Sequence, residues 1–219
     1  MSRHCTHLIT KTTKGEQRHM AVQEKIKDPF IYVEDNVLPA DVCEEIIRRF
    51  EKNKHEHKQG AIGKGIDTQV KDSMDLQISR WMEFFDISCA LSGVVQEALP
   101  KYHKYCQRIT RKSFTTGEDI PMMVPMPELY ISEHQVQKTL PGKGYTWHSD
   151  AHLGRVLTYI FYLNDVEEGW TEFLQGDKIA PKQGRLLIFP SDWTYYHQGF
   201  PPKTDKYISI GWASCYQPY

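Results

Sequence analysis

From Glu128 onward the chain is a succession of short β-forming segments cut by glycine and proline. Leu129–Gln137, Gly144–Trp147, Arg155–Leu163, Trp170–Leu174, Gly184–Phe189, Thr194–His197 and Lys206–Ala213 read as strands. Pro141-Gly142, Gly176-Asp177, Pro181 and Pro201-Pro202 stand between them as turn signals. Two helical segments come first. Many short strands after two helices predict an α+β protein, with the helices packed outside a sandwich or barrel.

The N-terminal half is less regular. Residues 1–27 are polar and rich in Lys and His, and read as a loosely held tail ahead of one domain over 28–219. Phe30-Ile31-Tyr32-Val33 reads as an entering strand. Pro39 then opens a helix to about Asn53, with Val42, Ile46, Ile47 and Phe50 on its apolar face. Residues 52–66 carry a charge run followed by Gly60, Gly63 and Gly65, and read as a solvated loop or a flap over a site. His55 and His57 fall in this polar stretch and are not read as ligands. Asp75-Leu76-Gln77-Ile78 reads as a strand. A long helix is expected from about Arg80 to Tyr105, with a break near Pro100. Its stripe of Trp81, Phe84, Phe85, Ile87, Leu91, Val94, Val95 and Leu99 reads as core packing. Residues 107–127 read as loop.

Composition narrows the class. The chain has 219 residues, with 40% hydrophobic and 25% charged, which is globular and not disordered. Its net charge of −1 gives no global field for nucleic acid or an anionic membrane. No apolar run approaches a transmembrane length, and the N-terminus shows no secretory h-region. Five scattered cysteines, Cys5, Cys43, Cys89, Cys106 and Cys215, form no C-x-x-C pair. They read as reduced thiols, which predicts a cytoplasmic protein.

The chemistry-bearing stretch is Gly144-Tyr145-Thr146-Trp147-His148-Ser149-Asp150. Side chains two apart on a strand share a face, so His148 and Asp150 can point into one small volume. An imidazole and a carboxylate are two of the three ligands of a 2-His-1-carboxylate iron site. Alone, such a pair is more often a surface turn or a satisfied hydrogen-bond pair. His197, at the end of another strand, supplies a third ligand if the sheets bring the strand ends together, as a double-sheet jelly roll does. Such a triad leaves coordination positions open for O2 and an organic co-substrate. Lys206 opens the last β-branched strand among apolar neighbours. A buried lysine needs a counter-charge, and a dicarboxylate would supply one, although a surface lysine at a strand start reads the same way.

The segment from Pro141 to Trp212 resembles the Fe(II)- and 2-oxoglutarate-dependent dioxygenases, in particular the prolyl 4-hydroxylase-like branch of small single-domain microbial or viral type. The resemblance runs through Pro141-Gly-Lys-Gly-Tyr-Thr-Trp-His148-Ser-Asp150 and Arg155-Val-Leu-Thr158-Tyr-Ile160-Phe-Tyr162-Leu-Asn164. It continues through Glu168-Gly169-Trp-Thr171-Glu-Phe173, Pro181-Lys-Gln-Gly184, His197 and Lys206-Tyr-Ile-Ser-Ile-Gly-Trp212. Leu38-Pro-Ala-Asp-Val-Cys-Glu-Glu-Ile-Ile is similar to the helix that opens such domains. The resemblance implies a double-stranded β-helix (jelly roll) with N-terminal helices on the outside.

It also implies roles. His148, Asp150 and His197 would bind Fe(II) and form the catalytic centre. Lys206 would pair with the distal carboxylate of 2-oxoglutarate, and Tyr162 would donate its hydroxyl to the same group. Thr158, Ile160, Tyr145, Thr171 and Trp212 would line the cofactor pocket. Relatives that halogenate carry a small residue where Asp150 stands, so Asp150 implies hydroxylation. The expected reaction uses O2, converts 2-oxoglutarate to succinate and CO2, and takes ascorbate as reductant. The expected substrate is a prolyl residue of a peptide or protein. The same chemistry on a free amino acid, another side chain or a small molecule, or a non-catalytic metal-binding jelly roll, are the alternatives. No nucleic-acid or membrane partner is expected, and the sequence leaves the oligomeric state open.

Overall fold

A computed structural model describes residues 26–121, 128–152 and 154–216. Most of the expected tail, with Cys5, lies outside the described residues. Lys27 and Asp28 do not hang loose: their backbone amides donate to the two carboxylate oxygens of Asp177 at 2.8 and 2.9 Å.

The chain enters through β1 (Tyr32–Glu34), then helix α1 (Ala40–Lys52), with Pro39 at its N-cap. Short strands β2 (Lys58–Gln59), β3 (Ala61–Ile62) and β4 (Gly65–Ile66) fill the expected loop, and β5 (Met74–Gln77) follows. Helix α2 spans Phe85–Gln107, after two 3-10 turns at Ile78–Arg80 and Met82–Phe84. It therefore starts later than expected, and it runs through Pro100 without a break. Pro100 and Gln96 are both exposed, so the Gln96 carbonyl that loses its helical partner faces water. Phe85, counted in the core stripe, is 59% exposed because it sits on the first turn. Residues 107–127 are not all loop: β6 (Thr110–Lys112) and β7 (Asp119–Pro121) pair as an exposed hairpin.

The remaining strands are β8 (Tyr130–Ile131), β9 (Gln135–Thr139), β10 (Tyr145–His148), β11 (Arg155–Tyr162), β12 (Thr171–Phe173), β13 (Lys178–Ile179), β14 (Arg185–Pro190), β15 (His197–Gly199) and β16 (Lys206–Ser214). The larger sheet runs β1-β14-β11-β16-β9-β5-β2, with β8 also on β16. The smaller sheet runs β10-β15-β12-β13. Every pairing among these strands is antiparallel. Two such sheets with helices on one outer face make an α+β jelly roll.

β11 is central, between β14 and β16, and its nearly unbroken apolar run follows from burial on both faces. Leu157, Tyr159 and Phe161 face the helices. There they meet Val42, Ile46 and Phe50 of α1 and Leu91, Val95 and Tyr102 of α2. Each such side chain contributes about 1.5–3 kcal/mol by leaving water. Ile160 and Tyr162 face the other way, into a second core with Phe173, Ile179, Leu187, Phe189 and Ile210 between the sheets. That inner face holds the site. No helix among the described residues is long and apolar enough to cross a membrane, and Cys43, Cys106 and Cys215 are free thiols.

Candidate active site

β10 and β15 pair so that His148 lies opposite His197. Asp150 follows His148 by two residues, just past the strand end. His148 Nε2 is 3.8 Å from Asp150 Oδ1, and His197 Nε2 is 3.8 Å from Asp150 Oδ2. The three ligand atoms lie within 4.8 Å of one another, the only such cluster found among the described residues.

Backbone carbonyls fix both imidazoles. His148 Nδ1 is 2.8 Å from the Thr146 carbonyl, and His197 Nδ1 is 3.0 Å from the Tyr195 carbonyl. A carbonyl only accepts, so each Nδ1 carries the proton and each Nε2 keeps its lone pair for a metal. Tyr145 stacks on His148, ring centroids 3.4 Å apart and planes 11° apart. Burial, with the neighbouring His197 as second cause, pushes His148 down to about 3, so it is neutral near pH 7. Burial works to raise Asp150, but the two histidines and the Thr158 hydroxyl outweigh it and hold the carboxyl below its usual range. Thr158 Oγ1 donates to Asp150 Oδ2 at 2.9 Å. Two imidazole Nε2 atoms and a carboxylate, facing one another and held from behind, fit an iron(II) site with open positions.

The triad opens into a cavity of about 700 Å³. Lys206 lines it and is only 5% exposed. Its ammonium donates to the Gly169 carbonyl at 2.6 Å, and no carboxylate of the described residues lies within ion-pair distance. Burial alone pushes its pKa down to about 8. A buried cation with no counter-charge is unfavourable until an anion arrives, so Lys206 fits a bound carboxylate.

Tyr145, Ile160, Thr171 and Trp212 also line the cavity. Tyr162 and Thr158 do not. The Tyr162 hydroxyl is bonded to Thr171 Oγ1 at 2.7 Å, and the Tyr162 ring centroid lies 5.6 Å from the Lys206 ammonium. Thr158 is bonded to Asp150. His55 is exposed, and His57 stacks on Phe50 at 3.8 Å.

One wall was not foreseen. Lys71 and Asp75 line the cavity as a buried ion pair, Nζ to Oδ2 2.6 Å. Asp75 also accepts from Ser73 Oγ at 2.8 Å. Gln77, Gln135 and Gln137 continue this wall, because Asp75 pairs with Gln137 and Gln77 with Gln135 across β5 and β9. Ala61, Ile62, Gly63 and Ile66, from the β3–β4 hairpin, line another side. The hairpin joins the sheet through Gly60, whose amide donates to the Ser73 carbonyl at 2.7 Å. A Cβ on Gly60 would strike Ser73 Oγ and come within 2.9 Å of Lys71 Cε.

Comparison with known proteins agrees with this geometry. Residues 134–214 match the model of the 2OG-Fe(II) oxygenase superfamily. No curated protein matches the sequence. Among solved structures, a viral collagen prolyl hydroxylase from Paramecium Bursaria Chlorella virus-1, in complex with 2-oxoglutarate, is similar with a TM-score of 0.59 and 19% identity, over 85% of this chain and 97% of that one. A prolyl-4-hydroxylase from Pseudomonas putida gives 0.60 and 16% identity, over 84% and 92%. A prolyl hydroxylase from Trichoplax adhaerens, in complex with a hypoxia inducible factor peptide fragment, gives 0.62 and 16%, over 85% and 84%. At these identities the likeness is one of fold. With the family model matched over residues 134–214 and with the triad, it accounts for the site, which is that of an oxygenase that depends on Fe(II), 2-oxoglutarate and O2.

Proposed function

We propose that the enzyme hydroxylates a prolyl residue within a peptide or protein. His148, Asp150 and His197 hold Fe(II), and Lys206 receives the distal carboxylate of 2-oxoglutarate. The observation that carries the substrate reading is the wall of Lys71, Asp75, Gln77, Gln135 and Gln137. Its one cation is paired with its one anion, and its other members are amides. Such a wall gives a second anion little, but offers donors and acceptors to a dipolar peptide unit. The prolyl hydroxylases among the fold relatives, one of them holding a peptide, support the same reading.

The chain's own part is positional. Both histidines reach the metal through Nε2, because each Nδ1–H is spent on a carbonyl. Thr158 steadies one carboxylate oxygen of Asp150. The Tyr145 ring restrains the plane of His148. Lys206 neutralises the keto acid and sets its direction in the cavity. Thr171, held by the Tyr162 hydroxyl, and Ile160 flank that path. The bound iron, with O2 and the keto acid, supplies the oxidation that releases CO2 and succinate and inserts one oxygen atom into a C–H bond.

The test is 2-oxoglutarate turnover to succinate by the full chain with Fe(II) and ascorbate under air, with and without a proline-rich peptide. Peptide-stimulated succinate, with a mass gain of one oxygen atom on proline, is expected, and His148→Ala abolishes both. Turnover that ignores the peptide and is still lost in His148→Ala would overturn the prolyl reading and leave the enzyme class standing.

A further inference from the structure

Lys206 does not hold its place by itself. We infer that Asn164 is the positioning residue for the anion-binding lysine: its single side-chain amide bridges the backbone on both sides of Lys206. Asn164 Nδ2 donates to the Asp205 carbonyl at 2.8 Å, and Asn164 Oδ1 accepts from the Tyr207 amide at 2.9 Å. This inference rests on the reading of Lys206 as the 2-oxoglutarate lysine.

The bridge has a local reason. Lys206 is the first residue of β16 and pairs with Thr139 of β9. Its other neighbour strand, β11, ends at Tyr162, so the ladder on that side stops short of Lys206: Tyr162 pairs with Ile208, and the Leu163 amide donates to the Tyr207 carbonyl at 3.0 Å. Asn164 is the next residue but one after β11. It takes over with its side chain where the strand runs out, meeting the two backbone groups that flank Lys206.

The same turn also holds the far end of the lysine. The chain from Asn164 to Trp170 links β11 to β12 and returns at Gly169, whose carbonyl accepts from the Lys206 ammonium. Gly169 has φ of +66°, and a Cβ there would lie 2.9 Å from Pro202 Cβ and 3.4 Å from Lys206 Cδ. Glu168 bridges Pro202, and the Lys203 amide donates to the Glu167 carbonyl at 3.1 Å. One connection therefore fixes the backbone of Lys206 at its start and the ammonium at its end. The residues on either side are tied elsewhere: the Asp205 carboxylate pairs with Lys138 at 2.9 Å, and the Tyr207 hydroxyl donates to Glu51 at 2.7 Å. Those ties hold the flanking side chains, whereas the Asn164 side chain bonds the backbone on both sides.

Losing an anchor behind a binding residue costs affinity in proportion to the freedom that residue regains. For Asn164→Ala the expected result is a roughly tenfold rise in the 2-oxoglutarate dissociation constant of the Mn(II)-loaded full chain, the scale of other supporting-shell losses. The Mn(II) dissociation constant itself stays unchanged, because Asn164 touches none of the triad. The decisive readout is a double-mutant cycle with Lys206→Met. Once Lys206 is gone, Asn164→Ala should weaken 2-oxoglutarate no further. If the alanine chain does not fold, Asn164→Ser, whose one hydroxyl cannot span both backbone groups, is read by the same cycle. An unchanged 2-oxoglutarate affinity in a folded Asn164 variant overturns the inference. So does an equal loss with and without Lys206, or a parallel loss of Mn(II) affinity, since each is the mark of a general structural role. If Lys206→Met itself leaves 2-oxoglutarate binding intact, the reading of Lys206 fails first and takes this inference with it.

Discussion

Thr158 donates its hydroxyl to Asp150 Oδ2 at 2.9 Å, across the face of β11 that looks away from the helices. Its only hydroxyl proton is thereby used, so the bond to Ser191 Oγ, also 2.9 Å, has Ser191 as donor. Asp150 reaches the triad with one oxygen already ordered. Thr158→Val keeps the shape and removes the donor. Metal affinity should fall about 10–100-fold, the usual cost of losing such a support. Titration of Mn(II) into the purified variant checks it, and an unchanged dissociation constant would show that the triad is ordered without Thr158.

Lys206 makes a prediction about pH. Burial holds its folded pKa at about 8, against 10.5 for an ordinary lysine. A carboxylate binds the charged form, so above pH 8 the free enzyme must take up a proton before it can bind 2-oxoglutarate. Affinity should be level below pH 8 and fall by up to about tenfold per pH unit above it. The stability of the ligand-free chain moves the other way. Between pH 8 and 10.5 the unfolded chain holds the extra proton, so folding gains stability as pH rises, on the order of 3 kcal/mol in all. Urea unfolding of wild type and Lys206→Met at pH 7.5 and 10 isolates the effect. A pH dependence that survives in Lys206→Met would assign it to other groups.

His134 gives a second, structural pH effect. It is 1% exposed, with Ser92 Oγ at 2.9 Å on one nitrogen and the Tyr159 hydroxyl at 3.4 Å on the other. Burial pushes its pKa down to about 4 from 6.5, so the folded chain holds it neutral. Between those values the unfolded chain binds the extra proton. The stability is therefore complete above pH 6.5 and is lost as pH falls toward 4, about 3 kcal/mol in total. His134→Gln should flatten the acid limb of the stability curve measured by urea unfolding, even if it lowers the plateau.

What the sequence carried and what it hid follow one physical line. β11 was legible because its run is apolar but for Arg155 and Thr158, and its period of two separates Leu157, Tyr159 and Phe161 from Ile160 and Tyr162. The triad was legible because His148 and Asp150 are two apart and His197 falls at a strand terminus, although it opens β15 where the sequence reads it as closing Thr194–His197. Lys71 and Asp75 were not, because nothing in the local sequence marks a lysine and an aspartate four apart as a buried ion pair. Only the pairing of Asp75 with Gln137, far along the chain, places them indoors. The place of Tyr162 was hidden for a related reason. Its face could be read from alternation, but the bond of its hydroxyl to Thr171 depends on how the two sheets pack. The continuity of α2 through Pro100 turned on which side of the helix meets water, and one turn of sequence does not settle that.

The β3–β4 hairpin is the element most suited to choosing the substrate. Ala61, Ile62, Gly63 and Ile66 line the cavity, and Ile66 is still 65% exposed. The hairpin is held at its base by the Gly60 amide and by the pairing of Lys58 and Gln59 with Asp75 and Met74. Its tip carries only the two-residue pairing of β3 with β4. An element so lightly tied and so placed can move to cover a bound chain segment at small cost. Replacing Ile62 and Ile66 by serine removes apolar area worth roughly 1–3 kcal/mol in a closed complex, which is about 5–150-fold in affinity. The expected result is a rise in the KM of the peptide substrate within that range and an unchanged KM for 2-oxoglutarate, whose lysine lies on β16. A rise in both would mean that the hairpin orders the whole cavity rather than one side of it. No change in either would remove it from substrate recognition and leave the Lys71–Asp75 wall as the side to test next, with Lys71→Met and the same two KM values as the measure.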